Sequence, residues 1–513
     1  MTNSLTPSGE IILAELSINP NSLVAHVPAS KLDDYIAVVN WLKKYKPKPD
    51  ATNLEKVRGY LEAFHHLCEV EAWEEAFKIL STRLNTPTNE ELHNQLNTWG
   101  YYREQTELYN RISGKLDPIL NAVCLNGLGT LYEVLAEYDK AIECHQQYLA
   151  IWQEIQERQG IGIALGNLGN AYLFLSQYAK AIEYYQQSLA IARELQDRRL
   201  EGNALGNLGN AYRYQGNYTK AIELSQQSLV IAREIQDRRL EGAAIGNLGL
   251  AYRAQKDYTK AMEYQQETLK IMQEIQFRQG EGIALGNLGM VYRRQGDNAK
   301  GIEYQKQRLA IARELQDWLG EEQALANLGM IYYALRDYGR AIEYQEQSLQ
   351  IARQIKDGRG EMAAIAQQGR IYAALEDNAK AIESHHQLLP IARKIGNREG
   401  EIVALAGLGS AYAAQKDHAK AIESYHQMLP IVREIGKREM EIVALAGLGS
   451  AYAALKDHTK VIEFEQQILP ILREIGDRKL EIATLGRLVL AYAARGNYAK
   501  MLANILRLLL ILN

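Results

Sequence analysis

One nine-residue motif recurs at 40-residue intervals through most of this 513-residue chain. It reads ALGNLGNAY at 164–172 and 204–212, AIGNLGLAY at 244–252, ALGNLGMVY at 284–292 and ALANLGMIY at 324–332. A divergent CLNGLGTLY at 124–132 opens the series, which continues through ALAGLGSAY at 404–412 and 444–452 and closes with TLGRLVLAY at 484–492. Repetition at this period is typical of a solenoid, in which each unit buries its apolar face by stacking against its neighbours.

The repeat at 161–200 predicts a hairpin of two helices. On helix A, expected over about 160–175, one face carries Leu165, Leu168, Gly169 and Tyr172 at spacings of 3, 1 and 3. After a turn at 176–177, helix B is expected over about 178–196, with an apolar stripe of Ala181, Ile182, Tyr185, Leu189 and Ala192. Because glycine has no Cβ, we expect helix B to approach helix A closely at Gly169.

This pattern resembles the tetratricopeptide repeat family. The similarity covers about 121–500 and lies, in this repeat and its later equivalents, at Leu168, Gly169, Tyr172, Ala181 and Tyr185. The 40-residue period and the NLGNAY string are most similar to the Pins/LGN adaptors and, more loosely, to kinesin light chains. The resemblance implies an all-α fold, a right-handed superhelical solenoid of helix-turn-helix repeats. Because the family's usual period is roughly 34 residues, we expect longer helices here.

The repeats divide the chain into three segments. Residues 1–120 lack the motif but show helical patterns, so we expect an irregular helical N-terminal cap of degenerate hairpins there. The array follows at 121–500, and an apolar C-terminal helix is expected at 501–513. Terminal caps of solenoids normally have a polar outer face. We therefore expect 501–513 to pack against another subunit, a partner, a continuation of the chain or the last repeat.

Helix B changes character in the later repeats. Pro390, Pro430 and Pro470 stand where earlier repeats have residues such as Ala190 or Lys270. Proline removes the hydrogen bond to the carbonyl four residues back and usually kinks a helix. The sequence therefore predicts kinked B helices and an altered curvature from about 380 onward.

A second stripe on helix A is the candidate binding surface. At about 100° per residue it lies well away from the core-facing stripe. The resemblance implies that these positions line a concave groove. In chain order the stripe carries Asn167, Asn170, Asn207, Asn210, Arg213, Asn247, Arg253, Asn287, Arg293, Arg294, Asn327, Tyr333, Gln367 and Arg370.

The chemistry of the stripe favours an extended acidic peptide. A side-chain amide donates and accepts at once, which suits the alternating groups of a peptide backbone. In the resembling families such asparagines hold the ligand main chain. Guanidinium groups bind carboxylates through paired hydrogen bonds. We therefore expect a protein or peptide partner with an acidic segment.

The stripe could also have a purely structural role. The asparagines could bridge adjacent helices, and the arginines could pair with carboxylates such as Glu201 or Glu241 on a solvated face. Duplication alone would also copy these residues. In the repeats at 401–480 the same stripe is small and nearly uncharged. It could accept a bulkier helix or sheet or the chain's own tail, or it could have no ligand.

Composition and motif searches narrow the functional classes. A net charge of −4 and a pI of about 6.3 argue against a nucleic-acid partner. The N-terminus does not resemble a signal peptide, no apolar run is long enough for a membrane span, and three cysteines fit a reducing cytoplasm. Motifs for phosphate binding, zinc hydrolysis or serine nucleophiles are absent.

We therefore expect a cytoplasmic scaffold or adaptor without enzymatic activity, cofactor or metal. Two alternatives stay open. The chain could be the regulatory or sensor subunit of a multi-protein system whose effector enzyme is a separate chain. It could also self-assemble as a homo-oligomer through 501–513.

Overall fold

The structure, a computed structural model, describes residues 5–48 and 50–512. This part of the chain contains 28 helices and no strand beyond one isolated bridge between Arg83 and Glu91. Hydrophobic side chains spaced along single helix faces fill its core. The prediction of an all-α solenoid of helix-turn-helix repeats is confirmed.

Eight helices of uneven length precede the array. They are α1 (Gly9–Glu15), α2 (Leu23–His26), α3 (Ala29–Lys44), α4 (Asn53–Lys56), α5 (Arg58–Glu69), α6 (Trp73–Leu80), α7 (Leu92–Thr98) and α8 (Tyr102–Ile112). Helical sequence patterns at about 31–43, 54–80 and 90–112 coincide with α3, with α4 through α6, and with α7 and α8. The start of the described chain packs within this group, where the Tyr60 hydroxyl donates to the Pro7 carbonyl at 3.1 Å.

Ten hairpins follow in the described part of the chain. Helix A of each hairpin is, in order, α9 (Pro118–Val134), α11 (Arg158–Phe174), α13 (Arg198–Gln215), α15 (Arg238–Ala254), α17 (Arg278–Gln295), α19 (Trp318–Ala334), α21 (Gly358–Ala374), α23 (Arg398–Ala414), α25 (Arg438–Ala454) and α27 (Arg478–Ala494). Helix B is α10 (Tyr138–Ile155), α12 (Tyr178–Glu194), α14 (Tyr218–Glu234), α16 (Tyr258–Glu274), α18 (Asn298–Leu315), α20 (Tyr338–Ile355), α22 (Asn378–Lys394), α24 (His418–Glu434), α26 (His458–Ile475) and α28 (Tyr498–Leu512).

Short polar turns separate these helices. The Asp237 carboxylate accepts from the Leu240 backbone N–H at 2.9 Å and so caps α15. The turn after α13 contains Gly216 at φ 90°, a left-handed conformation that glycine adopts without strain. Side-chain caps and left-handed turn glycines recur in other repeats, for example at Asp197 and Asp477 and at Gly296.

Gly169 brings the two helices of its hairpin together, as the sequence predicts. A Cβ added to Gly169 would lie 2.5 Å from Cε1 of Tyr185, which is 1% exposed. Tyr185 belongs to a core with Ala181, Ile182 and Leu189 from the same helix B. The glycine therefore makes room for the largest side chain of the apolar stripe.

The contacts of the chain cluster into two compact units. The first comprises Met1–Leu335 with Gln347–Gly360, and the second comprises Arg336–Glu346 with Glu361–Asn513. The hairpin α11–α12 and the candidate residues up to Tyr333 belong to the first unit. Gln367 and Arg370 belong to the second unit.

The three prolines of the second unit lie inside continuous helices. Pro390, Pro430 and Pro470 belong to α22, α24 and α26, which extend on both sides of them. Kinks and a change of curvature stay predictions. The small stripe in this unit has a packing explanation, because a Cβ on Gly447 would lie 2.5 Å from the Tyr425 ring.

The last helix is not a separate tail. It begins at Tyr498, before the expected boundary at 501, and forms helix B of the final hairpin with α27. Met501, Leu508 and Ile511 pack against a core in which Leu485 is fully buried. The 40-residue register thus continues through the apolar segment.

Candidate functional site

Four arginines of the candidate stripe lie close together in the first unit. Arg213, Arg253, Arg293 and Arg294 stand near the C-terminal ends of α13, α15 and α17. Burial lowers the pKa of Arg253 to about 10, and the positive charges of Arg213, Arg294 and Arg293 contribute to the shift. The side chains therefore form one cationic cluster, which we call the arginine cluster.

The arginine cluster has no carboxylate of its own. Among residues 5–48 and 50–512, no Asp or Glu oxygen lies within 4.0 Å of these four guanidinium groups. The Nε of Arg293 is buried without a hydrogen-bond partner. Burial and the charge of Arg294 lower the pKa of Arg293. The cluster is thus a partly buried group of positive charges that lacks a counter-ion within the described chain.

Elsewhere in the same repeats the arginines are neutralised. Glu201 accepts from Arg193 at 2.9 Å and from Arg198 at 2.6 Å. Glu241 is bound in the same way by Arg233 and Arg238. The stripe arginines do not pair with Glu201 or Glu241, because other arginines bind both carboxylates.

Neighbouring side chains orient Arg213. Its Nε and Nη2 donate to Oδ1 of Asn210 at 3.3 and 3.2 Å. Its guanidinium lies 4.1 Å from the ring centroid of Tyr214, which stacks on Tyr178. The Asn210 amide also donates to Oδ1 of Asn247 at 3.3 Å. Asparagine and arginine positions of adjacent repeats are thus physically connected.

Three further asparagines of the stripe bridge helices within the array. The Asn167 amide donates to Oδ1 of Asn126 at 2.6 Å, and the Asn327 amide donates to Gln305 at 3.3 Å. Oδ1 of Asn170 accepts from the Tyr185 hydroxyl at 2.6 Å. These bonds match the structural alternative for part of the stripe. Each amide has more donor and acceptor sites than these bonds use.

The other predicted residues differ in how far they are exposed to solvent. Asn207 in α13 and Asn287 in α17 are half-buried, and so is Tyr333 in α19. In the second unit Gln367 is buried and Arg370 is exposed. Burial lowers the pKa of His385 to about 4, and the Arg370 charge contributes to that shift.

Part of the stripe in the first unit is covered by a later repeat. The Arg359 guanidinium lies 4.1 Å from the ring centroid of Phe174, whose ring stacks on Tyr138. Phe174 occupies in α11 the position that Tyr214 occupies in α13. Phe174 is therefore less exposed than its equivalent Tyr214, which is 48% exposed.

The same later region also contacts the helices that precede the array. A Cβ on Gly100 would lie 2.8 Å from Ile355 and 3.3 Å from Trp318. The Asn53 amide is bonded to the Gln316 side chain. We call this set of contacts, with those of Arg359, the seam. Nothing in the sequence pattern indicates it, because its members come from distant and unlike segments.

The profile of the tetratricopeptide repeat family matches residues 121–194, 200–274, 281–354, 361–434 and 405–474. Together these matches cover more than half of the chain. The chain belongs to the tetratricopeptide repeat (TPR) family. The resemblance inferred from the sequence is confirmed. TPR arrays are typically non-catalytic scaffolds for protein interaction.

Three solved structures are similar to this TPR chain. A Rap protein complexed with competence and sporulation factor is 15% identical, with 76% of this chain and 99% of that chain covered and a TM-score of 0.48. The quorum sensor NprR from B. thuringiensis, in its apo form, is 13% identical over 74% and 100% of the chains, with a TM-score of 0.43. Kinesin light chain repeats from Podospora anserina are 22% identical over 37% and 95%, with a TM-score of 0.31. A search of curated proteins gives no match.

Two further features of the TPR chain bear on its chemistry. Over the described residues, no three His, Cys, Asp or Glu side chains come together as a metal site would require. None of the helices in that part combines the length and apolarity needed to cross a bilayer.

Proposed function

We propose that this TPR protein binds an acidic peptide segment of a protein partner, and that the carboxylates of this segment bind to the arginine cluster. The observation that carries the proposal is the accumulation of four arginines without a carboxylate among the described residues. Like charges brought together and partly buried are unfavourable without a counter-ion. An acidic ligand would remove that cost.

The side chains around the cluster match the two parts of such a ligand. Guanidinium groups form paired, charge-assisted hydrogen bonds with carboxylates, which Arg253 and Arg293 can provide. The amide of Asn247 lies one repeat from Arg213 and can bind the ligand main chain through the sites that Asn210 leaves open. Acidic side chains would then specify the ligand, while the amides would hold its backbone.

We also propose that the protein is cytoplasmic and that its partner is a protein. The net charge of −4 supports a protein partner over a nucleic acid, because nucleic-acid-binding proteins are usually basic overall. Three free, buried cysteines, Cys68, Cys124 and Cys144, support a cytoplasmic setting. A regulatory subunit that receives such a peptide from a separate enzyme would use the same groove.

A labelled oligoglutamate peptide tests the cluster directly. We expect it to bind the intact protein and to bind the Arg213, Arg253 and Arg293→Gln triple variant at least tenfold more weakly, since each lost charged hydrogen bond costs about 1.5–3 kcal/mol. The matched control replaces Arg198, Arg238 and Arg278 by Gln in the same repeats, which removes the same charge from salt-bridged positions. Its affinity should stay close to that of the intact protein.

Two results would contradict this assignment. Equal losses in both triple variants would show that net charge, and not the cluster, attracts the peptide. Unchanged binding in the cluster variant would place the ligand elsewhere. The natural partner can be identified by pull-downs from native lysate, analysed by mass spectrometry. They compare the intact protein with the Arg213, Arg253 and Arg293→Gln variant.

A further inference from the structure

Three β-branched aliphatic side chains lie exposed at one register position of helix A in the first unit. Val123 in α9, Ile163 in α11 and Ile283 in α17 follow one another at intervals of 40 and 120 residues and are 40%, 39% and 52% exposed. The equivalent residues Asn203 and Ala243 are also exposed, so the position is not simply copied from repeat to repeat. Because valine and isoleucine form helices less readily than alanine, neither core packing nor local helix stability explains the three aliphatic residues.

This position lies on the same side of the helix as the candidate stripe. In α17, Ile283, Asn287, Met290 and Arg294 are spaced by 4, 3 and 4 residues, so they follow one another along one side. At a rise of about 1.5 Å per residue, Ile283 and Arg294 are roughly 16 Å apart along the helix axis, with Asn287 between them. The stripe therefore has an aliphatic edge and a cationic edge, with amides between the two.

A peptide main chain held by these amides would have its side chains directed at the two edges. In an extended chain, the N–H and C=O groups point at right angles to the side chains, and successive side chains point in opposite directions. When the main chain bonds to Asn247 and Asn287 beneath it, its side chains point alternately toward the two ends of helix A. One set then reaches the arginine cluster, and the other set reaches Ile283.

We propose that the ligand is an extended peptide in which acidic and aliphatic residues alternate, an inference that rests on the acidic-peptide function proposed above. Its carboxylates bind the arginine cluster, and its aliphatic side chains cover Ile283 and, nearer the start of the array, Ile163. A purely apolar ligand would leave the arginines without a counter-ion. A purely acidic ligand would leave the isoleucines exposed to water.

Fluorescence anisotropy with labelled peptides of equal length and charge tests the alternation on the full chain. One peptide alternates Glu and Val, a second has the same composition in the order Glu-Glu-Val-Val, and a third alternates Glu and Ser. We expect the intact protein to bind the Glu-Val peptide about tenfold more tightly than the other two, since burial of one aliphatic side chain corresponds to about a factor of ten.

An Ile163→Asn, Ile283→Ala double variant tests the aliphatic edge. Because Asn203 and Ala243 stand at the equivalent positions of intervening repeats, both substitutions are compatible with the fold. We expect this variant to bind the Glu-Val peptide about tenfold more weakly and to bind the Glu-Ser peptide as the intact protein does. Val230→Ala, at a position that is 55% exposed on helix B, is the matched control and should change neither affinity.

The results distinguish failure of the alternation from failure of the proposed function. Equal binding of the Glu-Val and Glu-Glu-Val-Val peptides, or a double variant that binds Glu-Val normally, would overturn the alternation and leave the acidic ligand standing. Loss of Glu-Ser binding in the double variant would also overturn it, because the isoleucines would then shape the site without contacting the ligand. Failure of every peptide, oligoglutamate included, to bind the intact protein would reject both proposals.

Discussion

Arg359 lies over the ring of Phe174, 4.1 Å from its centroid, although the two residues belong to hairpins five repeats apart. The Phe174 ring in turn stacks on Tyr138, with centroids 6.2 Å apart. A solenoid repeat normally contacts only its neighbours. The seam therefore adds a long-range constraint to the first unit that stacking alone does not supply.

Replacing Arg359 by Ala should loosen the seam. A partly buried cation–π contact contributes about 0.5–2 kcal/mol. We expect faster amide hydrogen exchange around Phe174 and Tyr138 and little change within the hairpins between them. Arg239→Ala is the control, because Arg239 makes a similar contact with Phe277 at 4.3 Å away from the seam. Equal exchange around Phe174 in both variants would show that the Arg359 contact does not hold the seam.

Gly169→Ala should destabilise the protein, whereas Gly166→Ala should not. The added Cβ would lie 2.5 Å from the Tyr185 ring at position 169, but its nearest neighbour at position 166 is the Ser188 hydroxyl, 3.8 Å away. Overpacking costs about 1–3 kcal/mol. The gain in helix propensity of roughly 1 kcal/mol applies at both sites. Chemical unfolding should place Gly169→Ala below the parent and Gly166→Ala at or above it, and the reverse order would refute the packing argument.

The hairpin architecture could be predicted because the information is local and repeated. The positions of Leu168, Gly169 and Tyr185 define one helix face each, and the same spacing returns in every repeat. The short turns follow from residues such as Asp237 and Gly216, whose preferences depend only on neighbouring backbone. At Gly169 the sequence predicted the close approach of the two helices, but not that the Tyr185 ring fills the space beside it.

The candidate site was only partly predictable. The sequence indicates which residues share a stripe. It does not show that Arg213, Arg253 and Arg293 lie together without a neighbouring carboxylate. Nor does it show that other arginines bind Glu201. Helix periodicity gives the direction in which a side chain points. It does not show which carboxylates come within salt-bridge distance of a given arginine. The seam could not be predicted, because Arg359 and Phe174 belong to distant segments and no local pattern indicates their contact.

Stability should fall as pH rises toward neutrality because of Glu322. This side chain is 2% exposed, and its burial raises its pKa to about 7, with Asp357 adding to the shift. The Ser348 hydroxyl, which donates to it at 2.7 Å, and Arg308 act in the opposite direction. A raised folded-state pKa favours the protonated form on folding.

The contribution of Glu322 is therefore complete below its unfolded pKa of about 4.3 and is lost as the pH passes about 7. It amounts to about 4 kcal/mol at most, since one pKa unit corresponds to about 1.4 kcal/mol. Glu322→Gln should flatten the pH dependence of urea unfolding over that window and be more stable than the parent above it. A slope equal to that of the parent would assign the dependence to other groups, such as Asp317, whose pKa is also raised by burial.

Arg253→Gln should stabilise the protein in the absence of ligand. Burial and three neighbouring arginines lower the Arg253 pKa to about 10, so its charged form is less stable in the fold than in the unfolded chain. Discounted for partial solvation, removing that charge should add about 1–2 kcal/mol to the unfolding free energy. Added salt should narrow the difference, because it screens repulsion between the arginines. Arg198→Gln, which breaks ion pairs with Glu201 and Glu234, should instead lower stability slightly.

Measuring both stability and oligoglutamate binding in Arg253→Gln and Arg198→Gln distinguishes a binding role from a structural role. If Arg253 is kept for a ligand, the same substitution that raises the unfolding free energy should weaken oligoglutamate binding, the usual trade-off at a binding site. Arg198→Gln should leave binding almost unchanged. A loss of stability in Arg253→Gln as large as in Arg198→Gln would mean that the cluster is already neutralised within the chain, and the acidic-ligand proposal would lose its physical basis.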